Sequence, residues 1–180
     1  MNCPSKVVFG YVDQGGKGIV QGAIDADAFD GFIFADGMVG DSIIEAVGDD
    51  YNGAVGTEPG SGDAQAAEQF LALAEANGMN GDGPFRAQSY DAAALLMLAI
   101  QAAGSADRAA IQSKMTAVAN APGEKIAVGE LAKGLKILAD GGDVDYVGAT
   151  NVEFNAVGEV LGSYKELEVR DGKFETIRVR

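Results

Sequence analysis

The side chains with potential for chemistry in this 180-residue chain are carboxylates, serines, a glycine-rich turn and a few aromatics. Gly10 to Gly18 puts such a turn, with Lys17, between a β-rich run and a helical pattern, as a phosphate-binding loop does. The spacing fails: one residue too many lies between Gly10 and Gly15-Gly16-Lys17, and Gly18 replaces the Ser or Thr that would hold magnesium. The acidic clusters Asp49-Asp50 and Asp140 to Asp145 lack the alternating ligands, central glycine and closing Glu of a calcium loop, so they read as solvated turn carboxylates. Seven serines are present but no His. A Ser nucleophile would need a Lys or carboxylate base, and no elbow motif sets one up. One cysteine, Cys3, permits no internal disulfide and none of the usual Cys-based zinc spacings, and reads as an unpaired terminal thiol. No cofactor or metal is expected.

Three residues remain: Tyr11, Asp36 and Phe85. If Lys6–Tyr11 and Phe32–Ala35 are neighbouring strands, Tyr11 and Asp36 lie beyond their carboxyl ends, where open α/β sheets bind ligands. Residue type alone leaves plainer roles open. A Tyr at a strand end packs, Asp-Gly makes turns, and a Phe after Gly-Pro staples a helix N-terminus.

The elements that would position these residues alternate. Lys6 to Tyr11 is a β-rich run, Ile19, Val20, Ala23 and Ile24 have helical spacing, Phe32 to Ala35 is a second apolar run, and Ile43, Ile44 and Val47 follow with helical spacing. That alternation indicates an α/β fold with a parallel sheet covered by helices. Tyr51 to Asp63, where Asn-Gly, Gly-Thr-Glu-Pro and Gly-Ser-Gly-Asp surround the brief apolar Ala54-Val55, reads as a crossing between two bodies. Three helices are expected next: Ala64 to Asn77, Ala87 to Ala103, and Ala106 to Asn120 with Ser105 as its N-cap. The middle one, apolar nearly all round from Ala92 to Ile100, is expected to be a packed core helix. A weaker amphipathic helix, Glu130 to Ala139, contains Gly134, which costs about 1 kcal/mol relative to Ala in a helix interior. Strands are expected at Asn151 to Asn155, Val160-Leu161, Tyr164 to Arg170 and Phe174 to Val179, the last two joined by the hairpin signal Asp171-Gly172.

Charge narrows the partners. With 13 Lys and Arg against 27 Asp and Glu, the net charge of −14 repels phosphate backbones and anionic membrane surfaces, so nucleic acid is not expected as a partner. No apolar run reaches the roughly 18 residues that a membrane span needs. Met1 to Lys6 lacks the basic, apolar and small-residue succession of a signal peptide.

Several ordered segments resemble one family. They are Gly10-Tyr11-Val12-Asp13-Gln14-Gly15-Gly16, Phe32-Ile33-Phe34-Ala35-Asp36-Gly37, Tyr51-Asn52-Gly53-Ala54-Val55-Gly56-Thr57, Gly83-Pro84-Phe85, Ser89-Tyr90-Asp91-Ala92-Ala93 and Ala102-Ala103-Gly104-Ser105. Val152 to Gly158 and Val169 to Phe174 close the series. From about Phe9 onward the chain resembles the second half of the solute-binding proteins of ABC transporters for branched-chain amino acids, of the type I periplasmic-binding fold. The resemblance implies two Rossmann-like lobes with the N-terminal half absent: 1–57 a segment of lobe two, 58–150 a segment of lobe one, and 151–180 a return crossover and C-terminal hairpin of lobe two.

The implied function is capture of a branched-chain or related amino acid, or an amide, in an interlobe cleft for an ABC permease, in the periplasm and without enzymatic chemistry. Asp36 then matches the acidic position that pairs with the ligand α-ammonium, Tyr11 an aromatic lining the pocket, and Phe85 one that packs on the ligand side chain. The family's carboxylate-gripping groups belong to the absent half, so this chain alone is expected to bind weakly or not at all. Rival readings are a self-associating structural module, which would form homo-oligomers, an enzyme with Asp36 as general base, and a ligand-sensing domain on the same fold.

Overall fold

The structure is a computed structural model that describes residues 6–8 and 10–180. Cys3, with its reading as an unpaired thiol, and Phe9, where the resemblance begins, lie outside the described residues. The chain divides into two compact units, Met1–Gly60 with Ser163–Arg180, and Ser61–Gly162.

Unit 1 is built on five strands in the order β1 (Lys6–Val8), β2 (Phe32–Phe34), β3 (Val55–Gly60), β6 (Ser163–Arg170) and β7 (Lys173–Val179). The first three run parallel, with Val8 beside Phe34 and Phe34 beside Gly56. The last two add antiparallel, and their hairpin turns at Asp171 and Gly172, both at positive φ as a tight two-residue turn requires. Strand β1 is shorter than the β-rich run suggests. At Tyr11 the chain enters a 3-10 turn at Val12–Gln14 and then helix α1 (Gly16–Asp25).

Helices α1 and α2 (Asp41–Val47) supply Val20, Ile43 and Val47 to a core with Phe32, Phe34, Tyr51, Leu167 and Val169. Phe34 packs edge-on against Phe174 and tilted against Tyr51, at ring-centroid distances of 5.4 and 6.0 Å. Strand residues alternate faces, so Val7, Ile33 and Val55 form a row in register on the opposite face. They are 47, 38 and 41% exposed. The expected helical cover is therefore present over one face of the parallel strands only, among the described residues.

Unit 2 contains α3 (Ala64–Ala76), α4 (Arg86–Ala103), α5 (Arg108–Ala119), β4 (Glu124–Ala127), α6 (Leu131–Ala139) and β5 (Val144–Gly148), with β4 and β5 pairing in parallel. The Asp63 carboxylate caps α3 by accepting from the backbone N–H groups of Gln65 and Ala66. Helix α5 starts two residues later than its spacing predicts. Its cap is Asp107, which accepts from Ala110 N–H, while the Ser105 hydroxyl accepts from Asp107 N–H in the approach to the helix. Helix α4 buries one face only, through Asp91, Ala94, Leu95, Leu98 and Ala99. On its other face Leu96, Met97 and Ile100 are exposed, which corrects the expectation of a helix packed all round. Among the described residues no single helix is long and apolar enough to cross a membrane.

Two further expectations are corrected in unit 2. Strands β4 and β5 escape the sequence reading: only Ile126 of the short β4 is buried, and β5 opens directly on the acidic stretch read as a turn. Conversely, residues 151–155 and 160–161 form no strands beyond a single bridge between Phe154 and Val160. The Asn120 side chain donates to Phe154 C=O and accepts from its N–H, taking the place of a neighbouring strand, and Asn155 holds a local turn by accepting from Val157 and Glu159 N–H.

Gly134 in α6 now has a cause. A Cβ there would lie 2.9 Å from Cδ2 of the fully buried Leu98 on α4 and 3.3 Å from Ile126 on β4, so the glycine sets how closely α6 approaches its neighbours. Gly134→Val is expected to lower the stability of unit 2 by about 1–3 kcal/mol through overpacking. Urea unfolding followed by circular dichroism measures it, and an unchanged midpoint would show that Leu98 repacks freely.

Candidate functional site at the carboxyl ends of the parallel strands

Tyr11 and Asp36 follow adjacent parallel strands, so the register that aligns Val8 with Phe34 brings both past the same end of the unit 1 sheet. Asp36 opens a 3-10 turn at Asp36–Met38, and its carboxylate accepts a 2.7 Å hydrogen bond from Gly37 N–H. The Tyr11 ring lies alongside: a Cβ on Gly37 would stand 3.1 Å from ring atom Cδ1 and 3.3 Å from Cε1. Tyr11 is 65% exposed, and Asp36 is half-buried with no Lys or Arg paired to it among the described residues. The structure thus brings these two expected site residues together at a sheet end.

Sequence reasoning passed over a second carboxylate at this end. Asp13, in the turn after Tyr11, accepts from Lys17 Nζ at 2.9 Å and from Ser42 Oγ at 3.0 Å. The hydrogen bond from Lys17, then that from Ser42, hold its carboxyl below the usual carboxylate range. Asp13 therefore already has its cation, and Asp36 does not. The i, i+4 spacing of Asp13 and Lys17 on a helix start was the available signal. No cluster of three or more metal-ligating side chains exists among the described residues.

Phe85 belongs to unit 2 and is described with it. It is the residue before α4, held at φ 64, and its carbonyl accepts from Ser89 N–H at 2.8 Å. A positive φ is uncommon for a bulky residue. The ring is 46% exposed and lines a pocket of about 450 Å³ with Phe70, Ala74, Met79, Pro84 and Tyr90. Phe70 and Tyr90 meet at a centroid distance of 5.5 Å.

One turn into α4 lies a group that sequence reasoning quoted without a role. Asp91 is 2% exposed, and its carboxylate accepts four hydrogen bonds: Tyr146 Oη and Ala149 N–H at 2.8 Å on one oxygen, Thr150 N–H at 2.8 Å and Thr150 Oγ1 at 2.6 Å on the other. Every donor comes from β5 or the turn after it, so the carboxylate ties α4 to the sheet. Its signal was its isolation, as the only charged residue between Arg86 and Asp107.

No protein-family model matches the chain. Among solved structures it is similar to the leucine-binding protein LivK of Thermotoga maritima, with a TM-score of 0.66 and 20% identity over 96% of this chain and 43% of that one. It is also similar to the branched-chain amino acid transporter substrate-binding protein LivJ of Streptococcus pneumoniae, solved with isoleucine, with a TM-score of 0.61 and 17% identity over 97% and 43% of the two chains. A type 1 periplasmic-binding protein of Bordetella pertussis gives a TM-score of 0.58 at 17% identity over 95% and 45%. The chain carries part of a type I periplasmic-binding fold.

It spans less than half the length of these structures. A curated relative, the chemotactic signal transduction system substrate-binding protein BasB of Halobacterium salinarum, is 31% identical over 94 residues, which is 52% of this chain and 23% of BasB. The type I fold accounts for the alternation up to Gly60 and for the return of β6 and β7 to the sheet of unit 1 after 102 residues in unit 2.

Proposed function

We propose that this chain is part of a solute-binding protein that captures a branched-chain or related amino acid, periplasmic in location, and delivers it to an ABC permease. The observation that carries the reading is Asp36: a half-buried carboxylate with no cationic partner among the described residues, at the carboxyl end of parallel strands beside an exposed tyrosine. Such a group suits an α-ammonium, which needs an opposite charge and several acceptors when taken out of water. Tyr11 offers a flat apolar wall next to it. Phe85, at the edge of an apolar pocket, is proposed to meet the ligand's hydrocarbon side chain. Units 1 and 2 are read as parts of lobes two and one.

The names of LivK and LivJ support leucine-like ligands, and no bond-making step enters the reading. A second output is favoured by BasB, whose name couples substrate binding to chemotactic signalling. The same capture step would then feed a receptor instead of a permease.

Thermal unfolding with millimolar amino acids tests the reading. A ligand at a hundred times its Kd adds about 2.7 kcal/mol to the folded state, so even a weak site raises the midpoint. Leucine, isoleucine or valine is expected to shift it, and Asp36→Ala is expected to weaken binding roughly 10- to 100-fold through loss of a charge-assisted hydrogen bond. A shift that survives Asp36→Ala unchanged would remove the proposal, whereas no shift with any amino acid would mean that the site needs the half of the fold that this chain does not span.

A further inference from the structure

The glycine-rich segment that fails as a phosphate loop has a different use in the structure. Beneath it lies Met38, fully buried, whose sulfur is the nearest neighbour to the Cβ positions of both Gly10 and Gly16, at 3.8 and 2.5 Å. A side chain at Gly16 would also come 2.8 Å from Tyr11 C=O, the same carbonyl that accepts from Gln14 and Gly16 N–H at 3.0 and 3.1 Å. On the other side, a side chain at Gly37 would collide with Gly10 C=O and press on the Tyr11 ring. Each loop therefore touches the other at bare backbone.

We propose that Gly16, Gly37 and Met38 are positioning residues that set the Tyr11 ring against the Asp36 turn. The proposal rests on the reading of Tyr11 and Asp36 as ligand residues. Met38 fills the space under the first loop, while Gly16 and Gly37 let the loops approach until the ring lies on the Cα of Gly37. Two of these contacts are to backbone carbonyls, which cannot move aside as a side chain end can. A Cβ at Gly37 must displace the Gly10–Tyr11 segment and with it the ring, while the Asp36 carboxylate keeps its bond to the N–H of residue 37. The site then loses its geometry without losing a functional group. Gly18, in the same glycine-rich segment, has nothing within 4 Å of its Cβ position and takes no part.

The test compares Gly37→Ala with Gly18→Ala in the full 180-residue chain. Proton NMR with labelled tyrosine reads the Tyr11 ring without any ligand, through its Overhauser contacts to residue 37. Those contacts are expected in the wild-type protein and in Gly18→Ala and are expected to vanish in Gly37→Ala, with the contacts of β1 to β2 retained. Calorimetric titration with leucine is expected to show at least tenfold weaker binding in Gly37→Ala and a change below twofold in Gly18→Ala. Unchanged Tyr11 contacts in Gly37→Ala would overturn the positioning role. Lost contacts with undiminished leucine affinity would overturn its link to the ligand. If the wild-type chain binds no leucine, the link to the ligand is overturned for this chain, while the NMR arm still decides whether Gly37 sets the ring.

Discussion

Asp91→Ala is expected to remove about 3–5 kcal/mol of stability from unit 2, because several buried donors lose their acceptor and each stranded one costs about 1–3 kcal/mol. Four donors would lose their acceptor together: the Tyr146 and Thr150 hydroxyls and the N–H groups of Ala149 and Thr150. Tyr146 is 1% exposed and Ala149 is fully buried, so water cannot replace the carboxylate without opening the turn. Asp91→Asn sharpens the argument. Its amide oxygen can keep the Tyr146 and Ala149 bonds, and the Thr150 hydroxyl can turn to accept from the amide NH₂, but Thr150 N–H then faces a donor. One stranded N–H costs about 1–3 kcal/mol, so Asn is expected to fall between wild type and Ala. Urea unfolding reads both variants, and native-state hydrogen exchange in α4 locates the loss. A loss below about 1 kcal/mol in Asp91→Ala would show that the carboxylate is not what joins α4 to β5.

The same turn explains Gly148. Its φ of 59 lies in the left-handed region, and a Cβ there would fall on Asp91 Oδ1 and the Tyr146 ring. The glycine leaves room for a carboxylate that arrives from 57 residues earlier in the chain.

Physical reasons separate what was legible in the sequence from what was not. The βαβα order of the first fifty residues could be read because Phe32, Phe34, Val20 and Ile43 repeat with the periods of strand and helix and also form the core. The Asp171-Gly172 hairpin could be read because a two-residue turn restricts residue type. Strand β5 was hidden because Val144, Tyr146 and Gly148 alternate inward from a start inside an acidic stretch, where composition argued for a turn. The strand expected at 151–155 failed for a tertiary reason, since the Asn120 side chain meets both hydrogen-bonding groups of Phe154.

The candidate site was legible in part for a related reason. Tyr11 and Asp36 are placed by sheet register, which alternation foretells. The roles of Gly37, Met38 and Asp91 depend on contacts across the fold, and local spacing carries no trace of them. Resemblance selected the segment Ser89-Tyr90-Asp91, and only the three-dimensional contacts show that its carboxylate holds α4 in place.

Alkaline pH is expected to destabilise both units through two buried phenols. Tyr51 has no exposed surface, its hydroxyl has no hydrogen-bond partner among the described residues, and burial alone pushes its pKa up to about 12. An unfolded tyrosine ionises near pH 10. Below that pH both states hold the proton and the stability is complete. Between about 10 and 12 the unfolded chain loses a proton that the folded chain keeps, so stability falls as pH rises, by roughly 3 kcal/mol across that window. Tyr146 moves the same way and further, first because it is buried and then because the Asp91 carboxylate beside it opposes a phenolate.

Urea midpoints at pH 8, 10 and 11.5 measure the slope, and two variants separate its sources. Tyr51→Phe is expected to flatten the slope of unit 1 and also to stabilise it at pH 8 by about 1 kcal/mol, because an unsatisfied hydroxyl is removed. Tyr146→Phe is expected to flatten the slope of unit 2 but to lower stability at pH 8, because that hydroxyl is a donor to Asp91. Opposite signs at pH 8 from the same chemical change follow only if one phenol is stranded and the other bonded. Equal signs would mean that Tyr51 finds a partner or that Asp91 does not need Tyr146.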